Sequence, residues 1–220
     1  MKIDFHVHTN FSSDSTIKVK DLAKKSKESG IIPAITDHST IAANSKFRET
    51  NIGFIPGEEI RTDCGDLIAL YLTEEIEPYI HFPDAIDKIK EQGAISILPH
   101  MYDNTRHGCG DKYAKLVDVI ETFNARCINN SFNQRAADIA RKLGKPGVAG
   151  SDSHFLFEFG KTYNELPDFD IGNPKELMKA LKSGKNKIIA KKAPFFVRGP
   201  TAMYKAARKL RKKLLGKDIK

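Results

Sequence analysis

Phe5-His6-Val7-His8-Thr9 closes an alternating opening, Met1-Lys2-Ile3-Asp4-Phe5, that reads as a buried first strand. Side chains two apart on a strand point to the same side. His6 and His8 can therefore aim two imidazoles at one point while Phe5 and Val7 turn the other way into packing. Two convergent imidazoles suit a borderline divalent metal.

The same arrangement recurs along the chain. The apolar run 31–36 ends in Asp37-His38, and 51–60 finishes on Glu58-Glu59. Residues 94–98 run into Pro99-His100, and 147–150 into Ser151-Asp152-Ser153-His154. Further strands are expected over 66–72, 117–123 and 187–190. Helical patterns fill the intervals: 19–29, closed by Gly30 with Ser15 or Thr16 as cap, a weaker one at 41–50, then 83–92, 111–116, 131–143 closed by Gly144, and 174–182. This alternation predicts parallel strands joined by crossover helices. His6, His8, His38, Glu59, His100, Asp152 and His154 all fall at or just after strand C-termini. In a barrel of parallel strands those ends form one face, where catalytic groups gather.

At 220 residues the chain suits a single α/β barrel. Nothing at the start reads as a signal peptide, and no apolar run approaches the roughly 18 residues of a membrane span. Cys64, Cys109 and Cys127 are odd in number and widely spaced, which points to a reducing cytoplasm rather than a disulfide frame. The net charge of +8 is uneven: from residue 182 onward fourteen Lys and Arg face one acid, Asp218, so the remaining body is mildly acidic. The expected division is a barrel over 1–195 and a basic, helical tail over 196–220.

His6-x-His8, Ser13-Asp14, Thr36-Asp37-His38, Pro56-Gly57-Glu58-Glu59, Pro99-His100 and Ser151-Asp152-Ser153-His154 together resemble the PHP (polymerase and histidinol phosphatase) family, in the family's order from residue 1 to about 190. The resemblance implies a distorted (β/α)7 TIM-like barrel that hydrolyses phosphoesters with two to three divalent ions, Mn, Fe or Zn, at the C-terminal ends of its strands. Carried over by position, His6, His8, Glu59 and Asp152 hold a first metal. Glu59 bridges to a second with His100, and Asp14, His38 and His154 hold a third. Glu59, His100 and Asp152 form the implied catalytic core. Where the family often has a histidine opening the next strand, this chain has Asp66. As a ligand, its harder oxygen favours manganese or iron over zinc.

The expected chemistry is attack of a metal-activated hydroxide on a small phosphomonoester or nucleotide. Arg106, after His100, and Asn124 and Arg126, after the strand 117–123, are the expected substrate contacts. Glu121 reads either as a partner of a ligand or as a plain strand-end residue, and Glu158 lies near the site by resemblance. For residues 200–216, Met203, Ala207, Leu210 and Leu214 recur at helical spacing among Lys and Arg. That stripe is expected to dock on the barrel with the charges solvated; the alternatives are a grip on nucleic acid or on an anionic membrane. Two rival functions follow: an exonuclease-type phosphodiesterase using the basic tail, and a non-catalytic RNA-binding subunit. The oligomeric state is not legible.

Overall fold

A computed structural model describes residues 1–215. Its elements run β1 (Lys2–Val7), α1 (Val19–Ser29), β2 (Ile31–Ile35), α2 (Ala42–Arg48), β3 (Ile55–Thr62), β4 (Gly65–Leu70), α3 (Phe82–Glu91) and β5 (Ile95–Leu98). Then follow β6 (Val119–Asn124), α4 (Asn130–Leu143), β7 (Gly147–Gly150), β8 (Tyr163–Glu165), α5 (Pro174–Lys182), β9 (Lys187–Ile189) and α6 (Arg198–Leu215). Helices α1 and α4 stop where Gly30 and Gly144 enter the left-handed region, as their positions predict. The sheet order is β7-β6-β5-β4-β3-β2-β1-β8-β9.

The sheet curls into a distorted, nearly closed barrel. The interior is filled by one apolar side chain or more from each of β1 to β7, including Ile3, Phe5, Ala34, Ile55, Ile68, Ile97, Val119 and Val148, with Leu177 and Leu181 of α5 packed against them. Outside, α1 and α2 cover Val7, Ile31 and Ile35, while α3 and α4 cover Ile60, Leu67, Leu98 and Ile120. At the rim, β1 meets the end of β7 through His8 N to Ser153 O (3.1 Å) and Asp152 N to His6 O (2.7 Å).

Below the rim a side chain bridges β1 and β7. Buried Asn164 accepts from Ala149 N (3.0 Å) and donates to Ile3 O (3.1 Å) and Ala149 O (2.8 Å). Asn164→Leu leaves these backbone groups unpaired in the core, at about 1–3 kcal/mol each. A loss of at least about 3 kcal/mol in urea denaturation is expected, and a loss below about 1 kcal/mol would show that the barrel closes without it.

Several expectations are corrected. The strands are not all parallel: β4 pairs antiparallel with β3, through a tight turn after Thr62, and antiparallel with β5. Phe5 and Val7 do not share one packing layer. A bulge lies between Asp4 and Val7 of β1, and Phe5 joins the interior while Val7 joins the α1–α2 layer. Residues 111–116 form turns, not a helix, and β8 was not foreseen, being three residues long. Ser15 and Thr16 cap nothing; both hydroxyls instead donate to His154 O at 3.2 Å.

The largest correction concerns α6, which lies the other way round from its expected pose. Met203 is 73% and Leu210 58% exposed, and Ala207 is exposed too. The polar stripe Arg198, Thr201, Lys205 and Arg208 faces the barrel. The side chain of Leu214 and residues 216–220 lie outside the described parts. Among the described residues, no helix is long and apolar enough to cross a membrane.

Candidate metal centre

Three histidines of the rim, His6, His8 and His154, are each locked by a hydrogen bond from Nδ1 that leaves Nε2 pointing inward. His6 Nδ1–H donates to Glu121 Oε1 (3.0 Å), and His154 Nδ1–H donates to the Asp152 carbonyl (2.8 Å). His8 Nδ1–H donates to Ser12 Oγ (3.1 Å), whose own proton goes to Asp37 Oδ1 (2.9 Å). Asp37 also takes the Thr9 N–H and hydroxyl, both at 2.6 Å, so it braces the whole β1–α1 loop. Carboxylates and carbonyls only accept here, which fixes the tautomers. Such partners also orient metal-bound histidines.

The inward atoms crowd together. His6 Nε2 and His8 Nε2 are 3.0 Å apart. Glu59 Oε2 stands 3.4 Å from His6 and 3.3 Å from His8, and Asp152 Oδ1 stands 3.7 Å and 3.3 Å from the same atoms. Four donors around one ion with bonds near 2.0–2.2 Å stand roughly 3.3–3.6 Å apart. Glu59 offers its other oxygen elsewhere: Oε1 lies 2.9 Å from His100 Nε2, and Glu59, Asp66 and His100 form a second cluster. Oε2 also lies 2.9 Å from His38 Nδ1. A third group joins His8, His38 and His154. Asp14 reaches its edge, 3.4 Å from His38 Nε2 and 3.5 Å from His154 Nε2.

The backbone turns these groups inward. His100 (φ 27°) and Asp152 (φ 53°) both take left-handed conformations just after their strands. Gly150 lets β7 approach β1: a methyl there would strike Glu121 Oε1 and His6 Cβ. Asp66 reaches the rim because β4 runs antiparallel, so the strand's first residues lie beside the end of β3, opposite Arg61. Arg61 Nε holds Asp66 Oδ1 at 2.6 Å.

The electrostatics are those of a cage built for cations. Glu59 Oε2, Asp152 Oδ1 and Asp14 Oδ1 are buried without a hydrogen-bond donor, an expensive state for carboxylate oxygens that an ion removes. Burial opposes charging Glu59, Asp152 and Asp14, yet neighbouring His38, His6, His154 and Arg106 hold all three well below the usual carboxylate range. Burial also opposes charging His38, but Glu59 and Asp14 raise it to about 10, while burial and the neighbouring His154 and His38 push His8 down to about 3. Asp66 is pushed up by burial and by the Glu59 charge. The residues present thus fit divalent ions: His6 and His8 gather with Glu59, His6 and His100 with Asp152, Glu59 and Asp66 with His100, and His8 with His38 and His154.

The expected substrate contacts are placed as follows. Arg106 pairs with Asp152 and donates to Asn124 Oδ1 (3.2 Å). Asn124 is buried, its Nδ2 donating to Asp152 Oδ2 (2.9 Å) and Glu121 Oε2 (3.0 Å). Arg126 is buried too; it donates to Glu158 Oε1 (3.0 Å), to Val197 O just before α6 (3.3 Å) and to Thr201 Oγ1 of α6 (2.6 Å). Glu158 Oε2 accepts the backbone N–H of His154 and Phe155, both at 3.0 Å. Sequence reading missed Ser12, Asp37, Arg61, Arg198 and Lys205 as parts of this region. Only Ser12 and Asp37 carried a local signal, being polar and adjacent to expected ligands. His81 pairs with Asp63 away from the site, at 2.7 Å.

Glu58, next to Glu59, faces the other side of β3. It is buried, with Oε2 accepting from Ile76 N (3.1 Å) and Oε1 unpartnered. Burial, with Glu75 and Glu77 nearby, pushes its carboxyl up to about 7 from 4.5. The folded state keeps this proton where the unfolded chain has lost it. The penalty therefore grows as pH rises from about 4.5 to 7 and is complete above. Glu58→Gln is expected to be more stable than the parent at pH 8, by up to about 3 kcal/mol, but not at pH 4. Urea denaturation at both pH values checks this; an equal difference at both would refute it.

Known proteins bear on this geometry. The PHP domain model matches residues 4–109, and the PHP-associated model matches residues 130–186. An uncharacterised protein of Methanocaldococcus jannaschii, MJ0417, is 37% identical over 186 residues, covering 80% of this chain and 75% of its own. Among solved structures, a two-domain protein of Bacteroides vulgatus containing a predicted PHP-like metal-dependent phosphoesterase is similar with a TM-score of 0.70 at 17% identity, over 93% of this chain and 69% of that one. PsfC of Pseudomonas syringae is similar with a TM-score of 0.68 at 13% identity, over 94% and 98%. These two likenesses concern the fold. Because both family models match in order along a chain whose sheet is this barrel, the protein belongs to the PHP family.

Proposed function

We propose that this protein is a metal-dependent phosphoesterase that hydrolyses small phosphomonoesters or nucleotides, using two to three divalent ions of Mn, Fe or Zn. The observation that carries this reading is the convergence of buried, unpartnered Glu59, Asp152 and Asp14 oxygens with five histidines, beneath a pocket lined by Arg61, Arg106, Arg126, Arg198 and Lys205. His6, His8, Glu59 and Asp152 would hold one ion; Glu59, His100 and Asp66 a second; Asp14, His38 and His154 a third. Bound ions supply Lewis acidity and lower the pKa of water.

The chain's own residues do the rest. The Glu121 carboxylate holds the His6 ring through Oε1 and, through Oε2, accepts the backbone N–H of His100 (2.8 Å). Asn124 and Arg106 keep Asp152 turned to the rim, and Arg106 is placed to clamp phosphate oxygens. The family membership supports metal-dependent phosphoester chemistry.

The test is phosphate release by manganese-reconstituted protein over sugar phosphates, nucleotides, histidinol phosphate and oligonucleotides, with a chelated control. Chelator-sensitive release from a monoester supports the reading, whereas none from any ester by metal-loaded protein rejects it. The exonuclease rival draws on basic α6 at the rim. It predicts oligonucleotide hydrolysis that falls steeply with salt.

A further inference from the structure

We propose that α6 is the roof of the substrate pocket and that Lys205 is a phosphate ligand selecting terminal phosphomonoesters over internal phosphodiesters. The inference rests on the phosphoesterase reading above and deepens it. Helix α6 is fastened across the mouth at two places. At its start, Arg198 donates to Asp103 Oδ2 (2.7 Å), Thr105 Oγ1 (3.0 Å) and Arg126 O (3.1 Å), while buried Arg126 holds Val197 O and Thr201 Oγ1. Farther along, Arg208 donates to Asn10 O (3.0 Å) and Ser12 O (2.9 Å) on the β1–α1 loop.

Lys205 hangs between these anchors. Its side chain is 51% exposed and its Nζ lies 3.1 Å from Asp14 Oδ2, at the edge of the His38–His154 group. Together with Thr201 and Ala202 it closes a cavity of about 240 Å³ whose other walls include Asp14, His38, Arg106 and His154. That volume lies below the roughly 300–1,000 Å³ typical of pockets for larger ligands. A compact phosphate group fits end-on. A polymer passing through would need chain on both sides of the scissile phosphorus, and α6 covers one of them. The ammonium is a strongly hydrated point charge on a flexible stem, able to swing from Asp14 to a phosphate oxygen without moving the helix. On α6, Arg198 and Arg208 are spent on fastening the roof to the barrel, so Lys205 is the α6 cation placed to meet substrate.

The experiment uses full-length manganese-loaded protein and its Lys205→Ala and Lys205→Arg variants. Inorganic phosphate binding is measured by calorimetry, metal content by mass spectrometry, and kinetics on the best monoester of the panel. Loss of one charge-assisted contact predicts about tenfold weaker phosphate binding and a matching rise in KM for Lys205→Ala. Metal content should hold, kcat should stay within about threefold, and the arginine variant should recover most of the affinity. If the parent binds and hydrolyses but Lys205→Ala stays within about twofold in both phosphate affinity and KM, the inference fails alone. Equal parent rates on internal phosphodiesters and monoesters overturn it too. A parent that binds metal but neither binds phosphate nor hydrolyses any ester overturns the reading beneath it.

Discussion

Adding manganese to chelator-stripped protein is expected to raise its thermal midpoint by roughly 10 °C, and Glu59→Gln is expected to lose most of that rise. A ligand at about 1,000 times its dissociation constant stabilises the folded state by about 4 kcal/mol. For a chain of this size each kcal/mol moves the midpoint by about 2–4 °C. The unfolded chain has no assembled cage, so the binding energy appears as folding energy. Glu59 is the position where the sites meet: Oε1 faces His100 at 2.9 Å, while Oε2 faces His6, His8 and His38 at 3.4, 3.3 and 2.9 Å. Glutamine keeps the shape but puts an N–H₂ donor on one side, toward nitrogens that must present lone pairs to an ion. Scanning calorimetry with and without manganese decides it; an equal rise in the variant would remove Glu59 from both sites.

Asp152→Asn is expected to lower phosphate release on the order of 10³-fold. The metal's stabilisation of developing charge is worth several kcal/mol, and each 1.4 kcal/mol or so is tenfold in rate. Asp152 Oδ1 faces His6 and His8, whereas Oδ2 is taken by Arg106 and Asn124. Asparagine would keep its carbonyl toward the arginine, leaving its amide to point at the ligand nitrogens. The measurement is kcat/KM with metal content on the same sample. A variant within about tenfold of the parent would show that the ions, if bound, do not need this oxygen.

Much of the site was legible because its residues sit at strand ends, where two-residue alternation gives way to His and acid. His6-x-His8, His38, Glu59, His100 and Asp152-x-His154 are all local patterns, and all converge at the rim. Asp14 was reached by resemblance alone. Asp66 was read as opening a strand like the others; that it meets Glu59 and His100 depends on the reversed direction of β4. The turn 111–116 escaped because six residues with mixed propensity cannot outvote their surroundings. Strand β8 escaped because three residues carry no period at all.

By itself, then, the sequence determined the alternation of strands and helices, the stops at Gly30 and Gly144, and which side chains wait at the strand ends. These depend on backbone and side-chain preferences that act over a few residues. Tertiary structure decided which distant groups complete one another: Glu121 on His6, Asn164 between β1 and β7, Asn124 on Asp152. It also decided the pose of α6. An amphipathic pattern defines two faces but not which of them docks. Here the rim offers Asp14, Asp103 and the carbonyls of Asn10 and Ser12, so the basic face of α6 turns inward to the buried acids and Met203 and Leu210 are left outside.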